Sequence, residues 1–124
     1  MKLLRKTIAA AAALLATAAF ADVNVGISLS LTGPGSGLGI PMNNYYTKLF
    51  PKTIAGEKVN LIIADDASDP GKGVANARRF VTEDKVDVII GSTITPVAAA
   101  MAPVAAEAKT VPSTSSRQTW IAAL

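Results

Sequence analysis

Cysteine and histidine are both absent from the 124 residues. Without cysteine there is no disulfide framework, even in an oxidising compartment. Without histidine the chain lacks the commonest general base and the commonest metal ligand. A histidine-dependent catalytic triad is therefore excluded from this chain alone. Aromatic residues make up only 5% of the sequence and charged residues 17%. An excess of one charge is also missing once position is considered. Of the 12 basic residues, Lys2, Arg5 and Lys6 fall in the first six positions, and the others balance the 9 acidic residues. The formal charge of +3 thus belongs to the amino-terminal segment. Residues 22–124 are near neutral and offer no basic patch for nucleic acid.

Those three charges precede an uncharged stretch, Thr7 to Phe20, rich in Ala and Leu. Ala19-Phe20-Ala21 then puts small residues at the −3 and −1 positions of a cut before Asp22. This is the three-part pattern of a cleaved secretory signal peptide, Met1 to Ala21. The stretch is shorter than the roughly 20 apolar residues that a spanning helix needs. Residues 22–124 suffice for one modest domain with a small core.

Val23, Val25, Ile27 and Leu29 alternate with Asn24, Gly26, Ser28 and Ser30, which predicts a strand. Leu31 to Gly39 holds Pro34 and four glycines and predicts a loop. Pro41 suits the first turn of a helix in which Met42, Tyr45, Tyr46, Leu49 and Phe50 recur at helical spacing, ending before Pro51. Val59 to Ala64 is nearly all apolar, as in a strand covered on both faces. Asp69-Pro70 is an N-cap and N1 pair for a second helix, through about Asp84. Val86 to Ile90 predicts a third strand. Thr95-Pro96 opens a third helix through about Ala108, with Pro103 predicting a kink or early break. Thr110 to Ser115 is a candidate fourth strand. The order β-α-β-α-β-α-β predicts an α/β fold, a parallel sheet with flanking helices joined by right-handed crossovers.

In such a sheet ligands bind beyond the carboxyl ends of the strands. Those ends are the Gly-rich loop 31–39, the acidic loop 65–69, and the loops 91–95 and 115–119. They are rich in Gly, Ser and Thr, with Arg117 as their one fixed cation. The glycines fit neither a dinucleotide-binding fingerprint nor a phosphate loop, and read most simply as a tight turn. Asp65, Asp66 and Asp69 lack the spacing of a calcium loop and read as a solvated loop and helix cap; no metal or cofactor is expected. Ser92, Thr93 and Thr95 have no activating base nearby. They serve either ligand binding or helix capping, and pattern alone leaves both open. Tyr45, Tyr46 and Trp120 read as core or rim aromatics.

Taken together, four segments resemble a known family. They are Val25 to Gly39, Leu61 to Gly73 (Leu-Ile-Ile-Ala-Asp-Asp-Ala-Ser-Asp-Pro-Gly-Lys-Gly), Val86 to Thr95 (Val-Asp-Val-Ile-Ile-Gly-Ser-Thr-Ile-Thr) and Ala105 to Pro112. In this order they resemble the first part of the periplasmic solute-binding proteins of branched-chain amino acid ABC importers, the leucine/isoleucine/valine-binding protein family. The resemblance implies two α/β lobes that close on a small solute and dock on a membrane permease. It implies that residues 22–124 are part of the first lobe, truncated before the second lobe and hinge. It also implies ligand contacts from Thr95, which sits where a family hydroxyl meets the ligand carboxylate, and from its neighbour Thr93. Ser115 and Thr119 lie near the second contact loop. Ser36 and Leu38 fall in the first loop, where Leu38 replaces an aromatic common in the family.

The function expected is thus a non-enzymatic periplasmic binding component of an ABC importer. Its partners are an amino acid or related small acid or amide, and the permease. Two alternatives are an exported ligand sensor of the same fold and, from another class, a small secreted α/β hydrolase. The lack of His, Cys or any activated nucleophile counts against the hydrolase.

Overall fold

The computed structural model describes residues 22–110. Residues 1–21, the candidate signal peptide, lie outside it, as does the candidate fourth strand beyond Thr110. The element order is β1 (Val23–Leu29), α1 (Ser36–Lys48), β2 (Thr53–Ile54), β3 (Glu57–Asp65), α2 (Pro70–Thr82), β4 (Val88–Ile90) and α3 (Thr95–Thr110).

The sheet order is β2-β3-β1-β4. β1 pairs in parallel with β3, from Val23↔Val59 to Leu29↔Asp65, and with β4, from Val25↔Val88 to Ile27↔Ile90. The expected all-parallel sheet is corrected in one respect: β2 pairs antiparallel with β3. The two strands are joined by Ala55 and Gly56, whose φ values of 52° and 83° are those of a two-residue hairpin turn. Ala-Gly lacks the Asn-Gly or Asp-Gly pattern that announces such turns, so the hairpin is silent in the sequence.

Period-two alternation along β1 divides the core. Val25, Ile27 and Leu29 pack with Tyr46 under α1. On the other side of the sheet Ala77, Phe80, Val86, Ile89, Val97, Met101 and Val104 form a second cluster with α2 and α3. Of the predicted helical stripe in α1, Tyr46 is buried, whereas Met42, Tyr45 and Leu49 are exposed.

α1 begins at Ser36, five residues before Pro41, so Gly37 and Gly39 are helical rather than loop. A tertiary contact explains the early start. α1 crosses the end of β1 so closely that a Cβ on Gly39 would fall on the Ser30 carbonyl oxygen. Only glycine fits there. Pro103 does not break α3, which runs through to Thr110. Pro41 and Pro103, together with Gly37 and Ala99 four residues before each, are exposed. The carbonyls that lose a helical partner are therefore open to water.

The two helical glycines of α1 give a paired expectation. Gly39→Ala drives a methyl into backbone and should cost about 3 kcal/mol or prevent folding. A Cβ on Gly37 meets nothing within 4 Å, so Gly37→Ala should gain about 0.5–1 kcal/mol from helix propensity. Urea midpoints of the two variants should move in opposite directions.

Candidate functional site

The chain leaves β1 for β3 on one side and reaches β4 on the other. The carboxyl ends of β1 and β4 therefore flank a topological switch point, where open α/β sheets bind ligands. Three loops meet there, and hydrogen bonds tie them together. The Gly35 N–H donates to Ser68 Oγ at 2.9 Å, and Ser68 Oγ donates to the Thr32 carbonyl at 3.0 Å. Ser30 Oγ and Ser92 Oγ lie 3.3 Å apart. A Cβ on Gly35 would touch Ile94 Cγ2, Ser68 Oγ and Ser30 Cβ, so Gly35 sits where the three loops converge. An open groove of about 410 Å³ beside Tyr46, Phe50, Lys58 and Val59 lies at the amino end of β3, away from this edge.

Two adjacent aspartates hold the edge in different ways. Asp65, at the end of β3, is exposed and reaches across to the chain leaving β1. It accepts from Leu31 N–H at 2.9 Å, Thr32 N–H at 3.3 Å, Thr32 Oγ1 at 2.7 Å and Ala67 N–H at 2.8 Å. Desolvation pushes its pKa up, but the hydrogen bonds from Thr32 Oγ1 and the Ala67, Leu31 and Thr32 amides outweigh it. The net shift is downward.

Asp66 is fully buried, which corrects the expectation of a solvated loop residue. It accepts from Ser30 Oγ at 2.7 Å, Ser28 Oγ at 3.0 Å and Ser68 N–H at 2.9 Å. Neither ion pair among the described residues involves it. Asp69 caps α2 as expected, accepting from Lys72 N–H at 2.8 Å. Among the described residues no His/Cys/Asp/Glu cluster has the form of a metal site.

The two aspartates also fold the loop that follows them. Ala67 and Ser68 have φ values of 51° and 60°, a conformation that L-residues rarely adopt. Each is held there by its own N–H donating to the carboxylate two residues before it. This aims Ser68 Oγ at Gly35 and Thr32.

The predicted contact residues fall unevenly on this framework. Ser36 is the first residue of α1 and is half-buried; its N–H donates to the Gly33 carbonyl at 3.1 Å. Leu38 is two residues further along and 59% exposed. Thr95 opens α3 and is exposed. Thr93 lies in the loop after β4, and its Oγ1 is buried with no hydrogen-bond partner, the one such side-chain atom among the described residues. Ser115 and Thr119 lie outside the described residues, as do Arg117 and Trp120. Ser92 is spent internally, facing Ser30 and accepting from the Ile94 N–H at 3.3 Å.

Sequence reasoning missed Ser28, Ser30 and Asp66 as a unit. The signal was present in the strand order. Ser28 and Ser30 share a face of a strand that has neighbours on both sides, and a polar residue buried there needs a partner.

The edge carries no formal cation among the described loops, but α1 and α3 both begin on it. The amino-terminal dipoles of both favour an anion there. α2 begins there too, with Asp69 already on its first turn. α1 has no side-chain cap: its N-cap is Gly35.

This combination is that of an open α/β sheet with a hydroxyl-rich carboxyl edge at its switch point. Residues 22–122 match the periplasmic binding protein family, and the chain belongs to it. Several solved structures share the fold. An extracellular ligand-binding receptor from Rhodopseudomonas palustris HaA2 is 48% identical, with a TM-score of 0.69 over 73% of this chain and 25% of its own. A solute binding protein of an ABC transporter from Rhodopseudomonas palustris BisB5, in complex with 3,4-dihydroxybenzoic acid, is 37% identical, with a TM-score of 0.64 over 71% and 25%. A leucine binding protein from Thermotoga maritima MSB8 is 26% identical, with a TM-score of 0.63 over 81% and 27%. The chain thus spans about a quarter of the length of these relatives. No curated protein matches it. The architecture is the type I periplasmic binding protein fold with a mixed sheet. Family membership implies an exported, periplasmic protein. Among the described residues no helix is long and apolar enough to cross a membrane.

Asp65 makes the edge sensitive to acid. A carboxylate with a depressed folded pKa contributes stability that is present above its unfolded value, 3.8 for aspartate, and lost as pH falls through the folded value. Asp65→Asn should therefore lower the urea midpoint at neutral pH. The gap from the parent should narrow only below about pH 4 and close at the acid end. A gap independent of pH would show that Asp65 acts without its charge.

Proposed function

We propose that this chain supplies the first-lobe wall of a periplasmic site for a small solute, an amino acid or a related small acid or, less favourably, an amide, imported through an ABC permease. Met1 to Ala21 is the export signal in this reading, and residues 22–124 belong to the amino-terminal lobe. The observation that carries the reading is Thr93 Oγ1. It is a buried hydroxyl without a partner, in the loop after β4 and two residues before α3 begins. A buried donor left unpaired costs about 1–3 kcal/mol, and an acceptor on the solute removes that cost. In this reading Thr95 adds donors from the start of α3, and Ser36 adds its hydroxyl from the start of α1. Ser115 and Thr119 are proposed as the further contacts, and Leu38 borders the solute side chain.

The neighbours bracket the solute class. One was solved with an aromatic acid and another is a leucine binder. A carboxylate is common to both ligands. Family and neighbours are solute-binding proteins, which fits a wall of fixed hydroxyls with no general base.

Chemical-shift titration of the chain with L-leucine and with 3,4-dihydroxybenzoate tests this. The expected result is weak binding, with shifts concentrated in residues 31–38, 91–95 and 115–119. Thr93→Val, which keeps the shape and removes the hydroxyl, should weaken it about tenfold, the equivalent of one hydrogen bond to a charged group. The uncharged amides of the two acids should bind less well and lose less on the same substitution. Shifts absent from these segments with both carboxylates would overturn the proposal.

A further inference from the structure

Two chains of hydrogen bonds end on Asp66, and their direction is not free. A carboxylate only accepts, and a hydroxyl has one proton to give. Ser30 gives its proton to Asp66 Oδ1 at 2.7 Å. Across its 3.3 Å contact with Ser92, Ser30 is then the acceptor and Ser92 the donor. Ser92 in turn accepts from the Ile94 N–H at 3.3 Å. The second chain runs the same way: Asn76 Nδ2 donates to Ser28 Oγ at 3.3 Å, and Ser28 donates to Asp66 Oδ2 at 3.0 Å. Ser28, Ser30, Asp66 and Ser92 are all buried, so water does not compete for these protons.

We infer that Asp66 is a positioning residue for the loop after β4, fixing which of its hydroxyls is free to meet a solute. The inference rests on the reading of this edge as a solute site. Ser92 and Thr93 are adjacent in the sequence, and residue type alone does not separate them. The proton of Ser92 is committed inward, through Ser30 to Asp66. Its oxygen also holds the Ile94 N–H, at the residue whose carbonyl accepts from Ala98 N–H at 3.1 Å as α3 begins. Thr93 Oγ1, one residue on, is uncommitted. The buried carboxylate thus makes Ser92 a structural hydroxyl and leaves Thr93 as the donor, with the start of α3 fixed beside it. The effect reaches from the end of β3, through β1, to the loop after β4. Asp66 itself touches no solute.

Amide hydrogen exchange on the solute-free full chain tests the inference apart from any binding. The Ile94 amide reports the first chain, and the Ile27 amide in the central strand reports global stability. Ser30→Ala cuts the first chain, Ser28→Ala cuts only the second, and Asp66→Asn replaces the shared acceptor with a group that also donates. Exchange at Ile94, relative to Ile27, should quicken roughly tenfold in Ser30→Ala and Asp66→Asn and stay unchanged in Ser28→Ala. Should Asp66→Asn fail to fold, the contrast between the two serine variants decides alone. Equal change at Ile94 and Ile27 in all variants would overturn the inference, as would an unchanged ratio in Ser30→Ala. A chain that passes this test and still shows no shifts with either carboxylate refutes the solute reading and leaves the positioning role standing.

Discussion

Burial of one carboxylate without a cation constrains the whole carboxyl edge. Taking a charge out of water costs several kcal/mol unless hydrogen bonds replace the lost hydration. For Asp66 that replacement is wholly neutral: two serine hydroxyls and one backbone N–H. The hydroxyls come from β1 (Ser28) and the residue just past its end (Ser30), and the N–H from the loop after β3. The parallel register that sets Leu29 against Asp65 brings the next residues, Ser30 and Asp66, together. A slip of one residue would move the serines to the α1 face and strand the charge. The network therefore specifies register as well as position, because alternative pairings leave Asp66 unsatisfied.

The contrast with Asp65 shows how one step along a strand changes the role of a side chain. Asp65 and Asp66 leave β3 on opposite sides. Asp65 stays in water and clamps the start of the first loop through three donors, two of them backbone amides, while also accepting from Ala67 in its own loop. Asp66 turns inward and organises the loop after β4. Just after them the backbone takes two consecutive left-handed residues, each costing about 1–3 kcal/mol. The two carboxylates accept the N–H groups of those same residues, so the strain and its compensation are local. The acidic pair is a brace between loops.

Much of the fold was legible because its signals are local. The alternation of β1, the apolar run of β3, the Asp69-Pro70 start of α2 and the Thr95-Pro96 start of α3 each lie within a few residues. The elements that escaped depend on distant partners. α1 starts five residues early because Gly39 meets the Ser30 backbone, and nothing near Gly39 records that contact. Pro103 sits within α3 because its exposed face leaves the freed carbonyl to water. The β2 hairpin uses Ala55 at a positive φ, which residue type argues against. At the site, residue types marked the loops as a hydroxyl-rich edge. They did not separate Ser92 from Thr93, or Asp65 from Asp66, because burial decides between the members of each pair. Burial follows from strand order, which places β1 between β3 and β4.

The absence of a cation from the described edge shapes what it recognises. An arginine would grip a carboxylate bidentately, at about 1.5–3 kcal/mol for each hydrogen bond to the charged group. A lone hydroxyl and the N–H groups of helix starts give less each, and they act only where a ligand oxygen fits among them. Such a wall discriminates by geometry more than by charge, and it holds its ligand weakly on its own. Geometric discrimination requires the hydroxyl to keep one position and one proton direction. A freely turning Ser92 beside Thr93 would offer a second donor, and with it a second way to bind. Anchoring Ser92 through Ser30 to Asp66 removes that alternative. On the proposed reading the buried charge thus serves selectivity without touching the solute.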